Sequence, residues 1–272
     1  MQIVVCVKEI PDPEIAPSVF RVDEEARSVI PVPGLPFVIS PFDEQAIEAA
    51  LRLRDAGGSE SDIRINLLCL GAESARGMIK NGLALGADEA YLMVDPAFED
   101  GDSFTTARVL AAAIEKIGGD LVLTGRQAAD GDAGVVGSGI AELLGHPAIT
   151  FASDLALEDE TLVVERVLGD GSETVATTLP AVATISHELG KVRHASLRET
   201  MKAARKPLTV WTLADLGLAA DAVGAAAARQ TRERLYVPVN DVTCDYIDGD
   251  DAAAQAHALL DRLQAARVLE TS

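Results

Sequence analysis

The fold is decided by residues 120–132, which read DLVLTGRQAADGD. The first part is a short aliphatic run that predicts a buried strand. The second part contains Gly125 and Gly131 and leads into a segment with further glycines, which predicts a turn followed by a helix. A strand that passes through a glycine-containing turn into a helix is the repeating unit of parallel α/β sheets.

Strand-like and helical segments alternate on the N-terminal side of this unit. Short apolar runs rich in β-branched residues lie near residues 2–8, 63–70 and 89–94. Apolar residues recur at helical spacing after Pro41 and again after Asp102, which is a good helix-capping residue. The pattern predicts a Rossmann-like α/β fold, with a parallel sheet flanked by helices. Right-handed crossovers place the carboxyl ends of its strands at one edge, where such sheets bind nucleotides.

The pattern changes after residue 148. Short extended runs, separated by turn residues, cover 149–157, 161–168, 174–179 and 182–185. They predict antiparallel strands added to the parallel sheet. Residues 21–34 are long for a βα connection and suggest a small hairpin.

The C-terminal part is less regular. Residues 193–207 are basic and polar, a linker-like stretch follows, and helical periodicity returns at 252–268. We therefore expect a nucleotide-binding α/β domain over residues 1–210. Residues 211–272 are expected to form a C-terminal arm that packs on a partner subunit.

Composition narrows the function classes. The chain has 272 residues, 48% of them hydrophobic, which is enough for a full core. Its formal net charge of -20 disfavours nucleic acid as a partner, because the phosphate backbone would be repelled. No apolar run has the length of a membrane helix, and the first residues have the pattern of a strand rather than a signal peptide. A cytoplasmic location without membrane insertion is the expectation.

Cysteines and histidines suggest neither a metal site nor a catalytic side chain. The cysteines are far apart and form no CxxC pair, and the histidines have no partner at metal-ligand or catalytic spacing. We predict that Cys6 and Cys69, which lie in apolar runs, are packed thiols. Any chemistry would then be supplied by a cofactor.

The turn after the strand at 120–124 has the features of an anion site. Its backbone N–H groups and the start of the next helix would face a phosphate. Arg126 would add a positive charge, Gln127 a hydrogen bond, Asp130 an acceptor for ribose hydroxyls, and Asp132 a helix cap. The turn matches neither a Walker A sequence nor a GxGxxG fingerprint, so an ordinary capped βα turn explains these residues equally well.

Several separate motifs resemble those of electron-transfer flavoprotein β subunits, in family order over about residues 2–210. They are residues 5–8 with 11–12, 40–44, 86–90, 125–132, 164–182 and 195–203. The resemblance implies a heterodimer with an α subunit that carries the electron-shuttling FAD. An alternative from another class is a non-redox adenine-nucleotide-binding module of the same architecture.

The family also places a nucleotide in the β subunit itself. This is structural AMP in the respiratory-type group and a second FAD, which reacts with NADH, in the bifurcating-type group. Gly131 and Val136 are similar to the bifurcating-type pattern, whereas Ala133, Gly134 and Ser138 depart from it. FAD is therefore the expected cofactor, with AMP as the alternative in the same site.

The resemblance also implies particular contacts. Leu197 matches the anchor that enters an apolar pocket on partner dehydrogenases, of the acyl-CoA-dehydrogenase type or another flavin dehydrogenase. Glu165 matches an acid near the α-subunit flavin. The residues expected to contact the nucleotide are Cys6, Ser40, Leu70, Arg126, Gln127, Ala128, Asp130, Gly131, Asp132, Ala133, Gly134, Val135 and Val136.

Overall fold

The structure is a computed structural model that describes residues 1–16, 18–34, 37–58, 62–239 and 242–269. The chain divides into two compact units, Met1–Leu235 and Tyr236–Ser272. The boundary expected near residue 210 remains a prediction about domain organisation.

The first unit contains the strands and most of the helices. The strands are β1 (Gln2–Cys6), β2 (Glu9–Pro11), β3 (Val22–Asp23), β4 (Ser28–Val29), β5 (Phe37–Ile39), β6 (Arg64–Leu70), β7 (Glu89–Met93), β8 (Leu121–Gly125), β9 (Ala148–Glu158), β10 (Thr161–Leu168), β11 (Gly171–Thr178), β12 (Ala181–Ile185) and β13 (Leu208–Trp211). The helices are α1 (Pro41–Ala56), α2 (Arg76–Leu85), α3 (Ser103–Ile117), α4 (Val136–Leu144), α5 (Leu197–Ala203) and α6 (Gly224–Ala227); α7 (Ala252–Ala265) lies in the second unit.

One nine-stranded sheet organises the first unit, with the order β11-β10-β9-β12-β8-β1-β6-β7-β13. The strands from β12 to β13 in this order are all parallel to their neighbours. Their residues are mostly buried, as expected for a parallel sheet covered on both faces. The predicted α/β fold, with its parallel sheet and added antiparallel strands, is confirmed.

Helices cover both faces of the sheet. Val5 of β1 belongs to the core cluster that contains the apolar residues of α1 and α2, whereas Val4 belongs to the cluster of α3 and α4. Successive strand residues point to opposite faces, so a single strand supplies both layers. Burial of each large aliphatic side chain contributes about 1.5–3 kcal/mol.

The prediction for residues 149–185 is correct in part. β9, β10 and β11 form antiparallel pairs, but β12 lies between β8 and β9 and is parallel to both. The prediction that β12 is another antiparallel strand was therefore wrong. All five residues of β12 are buried, as in an interior strand covered on both faces.

Residues 193–211 contain regular structure that the sequence pattern did not reveal. Ser196 and Glu199 form a capping box at the start of α5. The chain then adds β13 to the sheet edge, parallel to β7, where Trp211 contacts the Tyr91 ring at a centroid distance of 4.5 Å.

Two smaller predictions are confirmed. Val22 of β3 pairs with Val29 of β4 in a short hairpin. Residues 252–265 form α7, whose N-terminus is capped by the Asp251 carboxylate, which accepts from the Ala254 N–H at 2.8 Å. Among the described residues, no helix has both the length and the apolar character needed to cross a membrane.

Candidate nucleotide-binding site

A cavity of about 780 Å³ opens at the carboxyl ends of the central strands. The last residues of β1, β6 and β8, which are Cys6, Leu70 and Gly125, line its floor. Its volume lies within the range of small-molecule and cofactor sites, roughly 300–1,000 Å³. The cavity is therefore at the sheet edge that the topology predicts for a ligand.

The structure brings the predicted contact residues together, with one exception. All of them except Ser40 line the cavity. Ser40 is fully buried at the start of α1, and its hydroxyl accepts from the Ala129 N–H at 3.4 Å. Ser40 therefore contacts the loop at Ala129 and does not line the cavity.

The loop between β8 and α4 follows a tight path. The N–H of Asp132 donates to the Ala128 carbonyl at 2.9 Å, and both Asp132 and Gly134 have positive φ, of 46° and 64°. Left-handed backbone is costly for residues other than glycine, asparagine and aspartate. The sequence of the loop suits this conformation.

The prediction that Asp132 caps α4 was wrong. The N-cap residue is Val135, and no side chain of the described chain caps the helix. The Asp132 carboxylate instead accepts from Gln127 Nε2 at 2.9 Å, because the turn places it before the start of the helix. Uncapped N–H groups at a helix start are suitable donors for an anion.

Arg126 is held between two aromatic rings. Its guanidinium carbon lies 5.3 Å from the centroid of Phe42 and 5.6 Å from that of Phe151, and Nη1 donates to Ser186 Oγ at 3.4 Å. Nε is buried and has no hydrogen-bond partner among the described residues. The side chain is therefore fixed, and it places a positive charge at the cavity wall.

Asp130 is engaged in an ion pair across the cavity floor. Lys8 Nζ lies 2.7 Å from Asp130 Oδ2 and 2.8 Å from Oδ1. Both side chains are partly exposed, so the pair contributes only about 0–1 kcal/mol. A ribose hydroxyl would have to share or replace this contact to use Asp130 as predicted.

Asp43 is a site residue that the sequence analysis missed. Its carboxylate accepts from the backbone N–H of Lys8 at 2.8 Å and of Gly125 at 3.2 Å, so it joins the ends of β1 and β8. Burial raises the pKa of Asp43 to about 7, against the opposing effect of these two hydrogen bonds. A Cβ at Gly125 would lie 2.5 Å from Asp43 Oδ1, so this close approach requires glycine.

The outer wall of the cavity was also missed. It consists of residues that follow β7, including 94–96 and 98–103, and of residues 230–232 from the C-terminal part of the first unit. Sequence pattern gave no signal for the second of these segments, because it contains no motif and no regular structure.

The site contains no reactive thiol. Burial raises the pKa of the Cys6 thiol far above its ordinary value, and the neighbouring Asp43 charge acts in the same direction. Burial likewise raises the pKa of Cys69 to about 12. Both are packed thiols, as predicted, because a nucleophilic cysteine needs a stabilised thiolate. Within the described part of the chain, no cluster of three or more His, Cys, Asp or Glu residues could hold a metal ion.

The electron transfer flavoprotein domain model matches residues 33–216. Subunit CarD of the caffeyl-CoA reductase–Etf complex of Acetobacterium woodii is 35% identical over 99% of this chain and 100% of its own length. The electron transfer flavoprotein subunit beta of Megasphaera elsdenii is 34% identical over 88% of each chain, and protein FixA of Azorhizobium caulinodans is 34% identical over 80% and 77%.

The chain belongs to the electron-transfer flavoprotein β subunits. Membership supports an electron-transfer role and disfavours the alternative of a non-redox nucleotide-binding module. The motifs at 40–44, 86–90, 125–132, 164–182 and 195–203 lie within the stretch that the family model matches, whereas the motif at 5–8 and 11–12 precedes it.

The remaining predicted residues of this β subunit lie outside the cavity. Leu197 is the first residue of α5 and is 79% exposed, and Met201, one turn later, is 69% exposed. Glu165 is exposed on β10. It pairs with Asp154 of β9, and the register of the two strands shifts between Glu165 and Arg166. Their roles toward partner proteins remain predictions.

Proposed function

We propose that this β subunit binds FAD in the cavity at the carboxyl ends of β1, β6 and β8. With an α subunit it would pass electrons between a dehydrogenase, or NADH, and a downstream acceptor. The observation that carries the proposal is the size of the cavity, about 780 Å³, whose lining extends from the loop at 126–136 to residues 98–103 and 230–232. Gly131 places no side chain in this space. FAD contains the AMP moiety plus riboflavin phosphate, so it needs space beyond the loop that holds a mononucleotide.

The residues around the cavity fit such a group. The uncapped start of α4 offers N–H donors to phosphate oxygens, and Arg126 adds a positive charge at the cavity wall. Leu70, Val136 and Leu110 supply apolar surface for a planar ring. AMP in the same site is the alternative, and it would leave much of the outer wall without a contact.

FAD, when bound, would accept and release electrons; the residues of this chain would bind and orient it. Lys8 and Arg126 are the cationic side chains beside the loop. They lie among Asp43, Asp130 and Asp132, so the positive charge available to a pyrophosphate is partly balanced. If the flavin reacts with NADH in the complex, the chemistry is bifurcation by the heterodimer rather than by this chain alone.

Partner contacts form part of the proposal. The name of the Acetobacterium woodii relative describes a subunit of a complex, and we infer that this chain likewise assembles with an α subunit. Exposed Leu197 would enter a pocket on a partner dehydrogenase, and Glu165 would face the α subunit. Residues 211–272 would pack on the α subunit as an arm; the exposed apolar residues Tyr236, Val239 and Tyr246 support this. The complex would act in the cytoplasm.

A single substitution tests whether the site binds FAD or AMP. We expect Gly131→Asp to lower the FAD affinity of the chain by about tenfold or more, because its carboxylate would occupy the space proposed for the flavin half and would repel the second phosphate of FAD, which AMP lacks. AMP affinity should be retained. Nucleotide binding is measured by calorimetry on the full-length variant.

The matched control is Gly169→Asp, because a Cβ at Gly169 also meets nothing within 4 Å and the residue lies in the turn between β10 and β11. It adds the same charge away from the cavity and should leave both affinities unchanged. Equal FAD binding by the Gly131→Asp variant and the wild-type chain would contradict the placement of the flavin.

A further inference from the structure

Residues 230–232 line the cavity, and together with Arg229, which precedes them, they are called the strap. The loop at 126–136 lines the same cavity. The strap has no regular secondary structure, and all its residues are exposed. Its position therefore depends on side-chain contacts from other elements.

Asp102 holds the strap and the start of α3 with the same carboxylate. Oδ1 accepts from the Thr105 N–H at 3.0 Å and caps the helix. Oδ2 accepts from the N–H groups of Arg229 at 2.7 Å and Gln230 at 3.1 Å. The two oxygens thus have separate functions, one within α3 and one toward the strap.

Further contacts hold the strap at both ends. The Arg229 guanidinium carbon lies 3.5 Å from the centroid of the Phe104 ring. At the other end, Arg27 Nη1 donates to the Arg232 carbonyl at 2.6 Å, and Arg232 Nη1 donates to the Arg27 carbonyl at 3.1 Å. The strap therefore connects α3 with the hairpin of β3 and β4.

The segment that leads to the strap is fixed against the same wall. The Ala225 N–H donates to the Glu99 carbonyl at 3.0 Å. Gly224 has a φ of 54°, and a Cβ there would lie only 2.0 Å from the Ala97 carbonyl oxygen. Glycine is therefore required at this point, and the path of the chain toward the strap is tightly defined.

The strap brings a positive charge to an acidic wall. Asp95, Glu99, Asp100 and Asp102 all line this side of the cavity. Within the described cavity lining, Lys8 and Arg126 lie near the loop, whereas Arg232 is the cation contributed by the outer wall. A ligand that extends beyond the loop would meet the strap backbone and Arg232.

We propose that the strap, latched by Asp102, contacts the half of the ligand that lies beyond the AMP moiety and so makes the cavity select a dinucleotide over a mononucleotide. This inference rests on the proposed FAD site. Asp102 is a positioning residue in this account, because it acts on the ligand through the strap.

The test is Asp102→Asn in the full-length chain. Asparagine caps helices as well as aspartate does, so the contact to Thr105 is kept. The new amide nitrogen cannot accept from Arg229 and Gln230, so the strap is released. We expect FAD affinity, measured by calorimetry, to fall about tenfold, while AMP affinity stays within about twofold of wild type.

Limited trypsin digestion gives a second readout, in which protection by FAD but not by AMP is the part that a purely structural role would not produce. In the wild-type chain FAD should slow cleavage after Arg229 and Arg232, and AMP should not. In the Asp102→Asn chain these bonds should be cut faster without ligand. Asp215→Asn is the control. Asp215 also accepts hydrogen bonds from a backbone N–H and a side chain, and its substitution removes the same charge, but Asp215 does not line the cavity.

The outcomes separate the two claims. Equal loss of FAD and AMP affinity in Asp102→Asn, or no loss of either, would overturn the role of the strap while the FAD site stands. Failure of the wild-type chain to bind FAD would overturn the proposed function, and with it the inference.

Discussion

Asp43 lies where the ends of β1 and β8 meet under the cavity, and its two backbone contacts define the entrance to the loop. The loop itself was predictable, because a strand, a glycine turn and a helix are contiguous in sequence. Asp43 was not, because its partners Lys8 and Gly125 are 35 and 82 residues away. The predicted cap by Asp132 failed for a local reason, since the turn runs on to Val135 before the helix begins.

Protonation of Asp43 should make stability depend on pH. Its pKa is raised from 3.8 to about 7, so the folded state favours the protonated acid more than the unfolded state does. The stabilisation that comes from protonated Asp43 is present in full below about pH 4. It is lost as the pH rises through 7, and the free energy of unfolding then falls by up to about 1.4 kcal/mol per pH unit. Between pH 5 and 8, the free energy of unfolding should therefore fall with rising pH.

Thermal unfolding of Asp43→Asn at constant ionic strength checks the predicted pH dependence of stability. The variant should lose the pH-dependent component between pH 5 and 8. Asp215→Asn should keep it, because hydrogen bonds from Thr212 lower the pKa of Asp215 and place its contribution at lower pH. An Asp43→Asn chain with the wild-type pH profile would show that Asp43 is not the titrating group.

Helix α1 connects the cavity with the segment that precedes α5. Its first residues hold Asp43 under the cavity, and its later residues hold the chain at 189–193. Glu48 is buried and accepts from Arg52 Nε at 3.0 Å and from Arg193 Nε at 2.8 Å. Arg52 in turn donates to the Leu189 carbonyl at 2.9 Å. The exposed Leu197 of α5 is thus carried by a segment that is fixed through ion pairs.

Loss of the Glu48 charge should loosen this segment. We expect Glu48→Gln to destabilise the chain by about 1–3 kcal/mol, because hydrogen bonds between charged groups are replaced in a partly buried site. Amide hydrogen exchange should accelerate at 189–196 more than in α1. The control is Glu73→Gln, which removes a solvent-exposed contact to Arg76 and should change the stability much less than Glu48→Gln does. An equal increase in the exchange rate of residues 189–196 and of α1 would contradict a local role for Glu48.

Elements were predictable where their pattern is local. α1, α3 and the strands β1, β6, β7, β8 and β12 follow from the sequence pattern, whereas the parallel pairing of β12 and the existence of β13 do not. The order of strands depends on which buried surfaces meet, and β12 inserts between β8 and β9 after the chain has crossed two antiparallel strands. β13 is short and follows a polar stretch, so its pairing with β7 is a property of the folded sheet.

At the scale of the whole molecule, the cavity combines parts that are distant in sequence. Its inner wall comes from the loop at 126–136 and its outer wall from 98–103 and residues 230–232 of the strap. The family resemblance pointed to the inner wall only, because its motifs end near residue 210. In the proposed site, the outer wall would contact the part of FAD that AMP lacks.

The most direct test of the central claim is the nucleotide content of the complex. The chain is co-expressed with its α subunit, the purified heterodimer is denatured, and released flavin and adenine nucleotides are quantified by chromatography. The account predicts two FAD per heterodimer, one of them from this β subunit, and no stoichiometric AMP. One FAD with one AMP, or no flavin at all, would contradict it.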